Sequence, residues 1–218
     1  MNSMKQQTRS HLDGLAARHP QLGPCLGDIE KAYDALLTCH AKGGRILACG
    51  NGGSAADAEH IVGELMNKYL LKRPMPRADA DRVVKTAGAL ADEITCKLQR
   101  GIPAFSLVSQ SALTSAISND IGPDLVFAQQ VYACGRAGDV LLALSTSGNS
   151  TNVIMALVTA RAFGVTTIGL TGAGGGSMEQ WCDVLIRVPA TVSYLVQELH
   201  EPVYHVLCAM LESELFGE

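Results

Sequence analysis

The sequence predicts an α/β domain, a parallel doubly wound sheet with helices over both faces. Two observations carry that prediction. Five short runs rich in Val, Ile, Leu and Ala recur along the 218 residues, at 45–49, 104–108, 140–144, 166–170 and 184–188. None alternates apolar with polar, as expected of strands covered on both sides. Between the runs, apolar residues recur at helical spacing, and strand followed by helix, repeated, means a doubly wound sheet. Hydrophobic residues make up 47% of the chain and charged residues 17%. That balance suits a filled core plus contacts between copies, and excludes a disordered chain. The length fits one large domain or two small ones; a single domain, 1–218, is expected, and a chain this long needs neither disulfide nor metal to fold.

The elements follow in order. The N-terminal segment, about 1–42, is predicted helical, with Ile29, Ala32, Leu36 and Leu37 marking a helix over 29–39. Strand 45–49 runs into Gly50-Asn51-Gly52-Gly53-Ser54, and Ala56, His60, Val62 and Glu64 lie in the helix that follows. Residues of about 70–100 then interrupt the alternation. They hold Lys72-Arg73-Pro74-Met75-Pro76-Arg77 and a helical stretch over 78–98. This is an insertion before the second strand: a lid, an extra helical layer or a surface excursion. After strand 140–144 comes Ser145-Thr146-Ser147-Gly148-Asn149-Ser150, then a helix with Val153, Leu157, Ala160 and Ala162 on its apolar face. The glycine-rich run 172–177 sits where a strand-to-helix turn is expected. The closing helix, 195–216, carries Leu199, Val203, Val206, Leu207, Met210 and Leu211 for packing on the sheet or on another subunit. Pro202 leaves the Glu198 carbonyl without its N–H partner, so a bend or a helix start is expected there.

The net charge of -4 argues against nucleic acid as a partner, because phosphate-backbone binding needs a basic face. A small anion held by backbone N–H groups stays open. Cys25, Cys39, Cys49, Cys96, Cys134, Cys182 and Cys208 are scattered without a CxxC pair, which reads as reduced thiols in a cytoplasmic chain. The polar start lacks an apolar signal-peptide region, and no apolar run reaches the ~20 residues that cross a bilayer, so no membrane role is expected.

Four groups of residues carry chemistry. The glycine loop 50–54 lets backbone N–H groups approach an anion at a helix start. It also loosely fits a dinucleotide fingerprint, Gly50-x-Gly52-x-x-Ala55. The acidic ribose-binding residue belongs about 20 positions on, where the chain has Tyr69-Leu70-Leu71-Lys72-Arg73 and no carboxylate. No nucleotide cofactor is therefore expected; Arg73 is the residue an NADP-type site would use. The turn 145–150 offers four hydroxyls in six residues at a helix start, more than a cap uses, and they match the acceptor oxygens of a phosphate monoester. His60 and Glu64, four apart, share a helix face just after the glycine loop, at the strand end where open α/β sheets bind ligands. Gln197, Glu201 and His205 share a face of the last helix. His200 lies on another, so at most one of these two histidines is functional.

Together these residues resemble the SIS-domain sugar-phosphate proteins, and most closely the bacterial phosphoheptose (sedoheptulose 7-phosphate) isomerases, over about 29–216. The resemblance implies a flavodoxin-like SIS fold, a three-layer sandwich with a five-stranded parallel sheet and flanking N- and C-terminal helices. It implies a homotetramer with sites at subunit interfaces and a sugar-phosphate substrate. Ser54, Ser145, Thr146, Ser147 and Ser150 would hold the phosphate, with Gly52 and Gly53 in the same loop. Asn51, Asn119, Asp120 and Gln197 would meet the rest of the substrate. Glu64 and His205 would be the acid–base pair, and His60, Glu64, Gln197 and His205 would hold zinc. The rivals are a non-catalytic phosphosugar-binding regulatory module, which needs the phosphate turns but not the His and Glu pairs, and an isomerase of another sugar phosphate. Three departures bear on the substrate: Lys68 where compact members carry Arg, Tyr194 where they often carry an acid, and a longer 72–100 stretch.

Overall fold

In the computed structural model, which describes residues 4–217, five strands form one parallel sheet in the order β2-β1-β3-β4-β5. They are β1 (Ile46–Cys49), β2 (Ala104–Ser106), β3 (Val140–Leu144), β4 (Thr166–Gly172) and β5 (Val184–Val188). Residues 1–3, the start of the predicted 1–42 segment, and 218 lie outside the described residues. Every strand falls on a predicted run, and β3 and β5 keep the predicted bounds. β2 stops short because Val108 N donates to the Ser106 hydroxyl (3.2 Å), a local turn that competes with the ladder. β4 runs two residues further because its register with β5 continues to Gly172 opposite Val188.

Nine helices are described: α1 (Gln6–Arg18), α2 (Leu26–Ala41), α3 (Gly53–Met66), α4 (Arg77–Ala87), α5 (Ala91–Lys97), α6 (Ser111–Asp120), α7 (Val126–Cys134), α8 (Thr151–Ala162) and α9 (Ser193–Phe216). Strand parity divides the core. Ile46, Ala48, Val140, Leu142 and Ile168 pack with Ile29 and Leu36 of α2, Ile61 of α3 and Val203 and Leu207 of α9. Leu47, Cys49, Leu141 and Ala143 pack on the other face with Val131 of α7 and Val153 and Leu157 of α8. Successive strand residues thus enter opposite cores, which is why the runs are apolar without alternation. The α1 helix falls within the N-terminal segment predicted helical and packs on α9, with Leu12 and Leu15 buried. Ala162, expected on the apolar face of α8, is exposed at its last position; Ala156 is buried in its place.

The insertion is a pair of surface helices. α4 has no buried residue, a short turn over Gly88–Leu90 leads to α5, and an antiparallel bridge between Pro74 and Gln99 closes the base. At Pro202 the helix neither begins nor ends: α9 runs unbroken through it for 24 residues. All seven cysteines are free, and burial pushes the Cys39 thiol up to about 11 and Cys49 up to about 12.

The strand order reverses between β1 and β3. In an open α/β sheet, the loops leaving the carboxyl ends of two such strands diverge to opposite faces and leave a crevice. Those loops are the glycine loop and the serine turn.

Candidate active site

At the glycine loop, Gly52 takes φ +57 and α3 starts at Gly53 with no acidic residue in its first turn. The helix start therefore holds no carboxylate that would repel an external anion. Ser54 is buried there. A Cβ at Gly53 would lie 2.5 Å from Gln197 Nε2, so the missing side chain is what lets the Gln197 amide rest on the start of α3. Asn51 and Asn152 exchange two amide hydrogen bonds (2.8 and 2.9 Å), tying the loop after β1 to the helix after β3.

In the serine turn, Ser145 N donates to Leu170 O (3.1 Å), and the hydroxyls of Ser145 and Ser150 lie 3.1 Å apart. Ser150 stands at the N-cap of α8, yet its side chain makes no capping bond. The hydroxyls are not spent on the cap. Ser147 Oγ accepts from Asn149 N (3.2 Å), and Thr146 Oγ1 donates to Ser193 Oγ (3.4 Å). Gly148 has φ +68, and a Cβ there would strike the Gly175 carbonyl. The glycine-rich run after β4 thus leaves room for the turn, and Ser177 N donates to Asn149 Oδ1 (2.8 Å).

The third part is the seam between α3 and α9. His60 Nδ1 is 3.0 Å from the Tyr204 hydroxyl, and Nε2 is 3.2 Å from Glu64 Oε1. Asp57 Oδ1 is the more distant acceptor for Tyr204, at 3.4 Å. With Tyr204 donating to Nδ1, the Nε2–H is left to Glu64. The His60 ring stands edge-on to His205, with centroids 5.0 Å apart, and Tyr69 stacks on His205 at 5.9 Å. One ligand atom from each of His60, Glu201 and His205 can be chosen so that all three lie within 4.8 Å of one another. Burial, and then the neighbouring His60, hold His205 below the usual imidazole range, so it is neutral at pH 7 and able to accept a proton. Burial raises the Asp57 carboxyl. Burial and the Asp57 and Glu201 carboxylates raise Tyr204, which stays a phenol.

Asp57, His60, Gln197, Glu201 and Tyr204 line an open hollow of about 400 Å³. His205 faces a second hollow, with Tyr69, His11 and Arg18, so the two touching imidazoles look into different spaces. One face of α9 serves every part. Ser193 meets the serine turn, Gln197 the glycine loop, and Glu201 and His205 the His60 cluster, at steps of four residues.

The fold thus brings together Asn51, Gly52, Gly53 and Ser54 at one turn, Ser145, Thr146, Ser147 and Ser150 at the next, and His60, Glu64, Gln197 and His205 along the seam. Asn119 and Asp120 close α6, exposed, and Asn119 Nδ2 donates to Asp120 Oδ1 (2.8 Å). No hydrogen bond ties them to the two turns among the described residues. Asp57, Tyr204 and Tyr69 carry no site role in the sequence reading, and Glu201 only a place on a face. Asp57 had a signal, three residues before His60 on the same face. Tyr204 had none, because only the α3–α9 packing brings it to His60. Arg73 is unavailable to a nucleotide phosphate: it is fully buried and paired with Glu212. Lys68 is exposed, and Tyr194 lies at the rim of the larger hollow.

A 2-1-3-4-5 parallel sheet with an anion-ready turn on each side of its switch point is the architecture of an SIS domain, and the SIS domain family model matches residues 26–93 and 77–172. Over 212 residues, 97% of this chain and 99% of the relative, the sequence is 39% identical to the phosphoheptose isomerase of Rhodospirillum rubrum. The solved phosphoheptose isomerase of Neisseria gonorrhoeae matches with a TM-score of 0.72 and 32% identity, over 95% of this chain and 98% of that one. The enzyme from Francisella tularensis matches at 0.74 and 27%, over 98% and 100%. The chain belongs to the phosphoheptose isomerase family.

Proposed function

We propose that this protein interconverts sedoheptulose 7-phosphate and D-glycero-D-manno-heptose 7-phosphate by proton transfer through an enediol. The observation that carries the reading is the meeting of His60 and Glu64 on α3 with Glu201 and His205 on α9, beside two turns rich in hydroxyls at helix starts. A binding module needs the turns alone. The substrate phosphate sits on Ser54, Ser145, Thr146, Ser147 and Ser150, with the N–H groups of Gly52 and Gly53 adding to the cradle. Asn51, Asn119, Asp120 and Gln197 hold the sugar hydroxyls. Anchoring the tail fixes the reacting carbons before the acid–base pair. One member of the Glu64–His205 pair takes a proton from C1 of the ketose and returns it to C2, and the other moves a proton between O1 and O2. The neutral state of His205 suits it to either step.

The protein is tested with sedoheptulose 7-phosphate, following the aldose by NMR. Wild type forms aldoheptose 7-phosphate. Glu64→Gln and His205→Ala each lower kcat by about 10²-fold or more. Full activity in both variants defeats the assignment.

We also propose one zinc ion per site. Two imidazoles and a carboxylate, with their donor atoms grouped within 4.8 Å, are a zinc-type donor set. His60 and His205 would bind, together with Glu64 and Gln197 or with Glu201, whose oxygen completes the cluster. Zinc bound there supplies a Lewis acid for the carbonyl. Anomalous scattering at the zinc edge is expected at this cluster; fully active protein free of metal overturns it. The assembly we propose is a homotetramer, and the seven free thiols of each chain suit the reducing cytoplasm. Recovery of the protein from an oxidising compartment in cell fractionation would refute that location.

A further inference from the structure

Arg73 and Glu212 are both fully buried, and they meet through Arg73 Nε and Glu212 Oε1 at 2.7 Å. A buried ion pair is a weak source of stability, because desolvation offsets the attraction. What the pair holds is more informative. The two remaining Arg73 nitrogens donate to Leu65 O (2.7 Å) and to the carbonyl of Glu64 itself (3.0 Å). These are carbonyls of the last turn of α3, which have no helical partner of their own. Glu212 accepts from three consecutive backbone groups as well: Tyr69 N (2.9 Å) at Oε1, and Leu70 N (2.6 Å) and Leu71 N (3.0 Å) at Oε2. Tyr69, fixed in this way, is the ring stacked on His205. Phe216 closes the cluster, with the guanidinium groups of Arg73 and Arg100 over its ring at 5.0 and 4.7 Å.

We propose that Arg73 and Glu212 form a positioning pair for the isomerase site. The guanidinium fixes the backbone of Glu64, and the carboxylate fixes the aromatic support of His205. The acid–base residues come from different helices, α3 and α9, and their side chains are partly exposed. One buried fork sets the distance between them. Arg is required because a single plane of N–H groups serves both the carboxylate and the two carbonyls, which a lysine ammonium does not reproduce. The insertion is thereby tied to the catalytic seam: its base is also held to Arg73, through Gln99 Oε1 (2.7 Å from Arg73 N) and Arg100 N (2.7 Å from Arg73 O).

This inference rests on the isomerase reading, and the experiment separates the two. Wild type, Arg73→Lys, Glu212→Gln and Tyr69→Leu are assayed with sedoheptulose 7-phosphate at 10 °C, with the folded fraction of each measured by near-UV circular dichroism. The expected result is an active wild type and, per folded chain, kcat lowered about 10- to 100-fold in Arg73→Lys, Glu212→Gln and Tyr69→Leu. KM stays within about twofold, because the phosphate turns are untouched. Tyr69→Leu leaves the buried pair intact and keeps the test alive if the charge variants do not fold. A wild type without isomerase activity sinks the functional reading. An active wild type, with folded variants that melt earlier yet keep wild-type kcat per folded chain, overturns the positioning role.

Discussion

His200 and His205 lie five residues apart on α9 and meet different environments. His205 is half-buried at the seam, beside His60 and Tyr69. His200 is fully buried, beneath the backbone of Thr171. Burial lowers its pKa from 6.5 to about 4. The helical face that separates the two was legible in the sequence; the apolar surroundings of His200 were not. Above pH 6.5 the ring is neutral whether folded or unfolded, and acidity makes no difference. Between 6.5 and 4 the unfolded chain takes up a proton that the folded chain refuses, so stability falls as pH falls, by about 3 kcal/mol in all. Below 4 both states are protonated and the loss stops growing. Melting temperatures measured across this window should fall in wild type and fall less steeply in His200→Leu. Equal slopes would show that His200 does not titrate on unfolding. Asp57 and Tyr204 also belong to this scale. The contact of Tyr204 with His60 spans 144 residues of chain, and no local spacing encodes that.

Elements are most legible where periodicity is strong. The five strands needed only apolar runs between turn residues, and residues buried on both sides leave little ambiguity. Errors fell at ends, as at β2, where one serine hydroxyl captures a backbone N–H. Pro202 shows the limit of a local rule. A proline inside a helix costs a hydrogen bond and a steric adjustment of about 3 kcal/mol, yet α9 continues through it. The buried contacts of Val203, Leu207 and Met210 with the sheet outweigh the local penalty. The insertion is the reverse case. α4 and α5 carry helical spacing, but with no buried residue in α4 their arrangement depends on anchors at the base, where Arg73 and Gln99 meet.

For the whole molecule, strand order decides where chemistry is possible. The glycine loop and the serine turn lie 95 residues apart between Gly50 and Ser145, and become neighbours because β1 and β3 pair. The insertion exposes Val84, Leu90 and Leu98, and Tyr194 and Leu195 are exposed at the start of α9. Such apolar surface suits burial between copies, and supports the proposed tetramer. Light scattering at micromolar concentration should give four times the 23.0 kDa chain mass; a monomer would refute it. Spacing within single elements was enough to read the α/β class, the glycine loop and serine turn at helix starts, and the His60–Glu64 and Gln197–Glu201–His205 faces. Tertiary structure alone decided that Glu201 joins the two imidazoles, that Arg73 is a buried clamp and that Tyr204 and Tyr69 support the histidines. Those contacts depend on how α3 and α9 meet, and that geometry is set by the packing of both helices on a shared sheet.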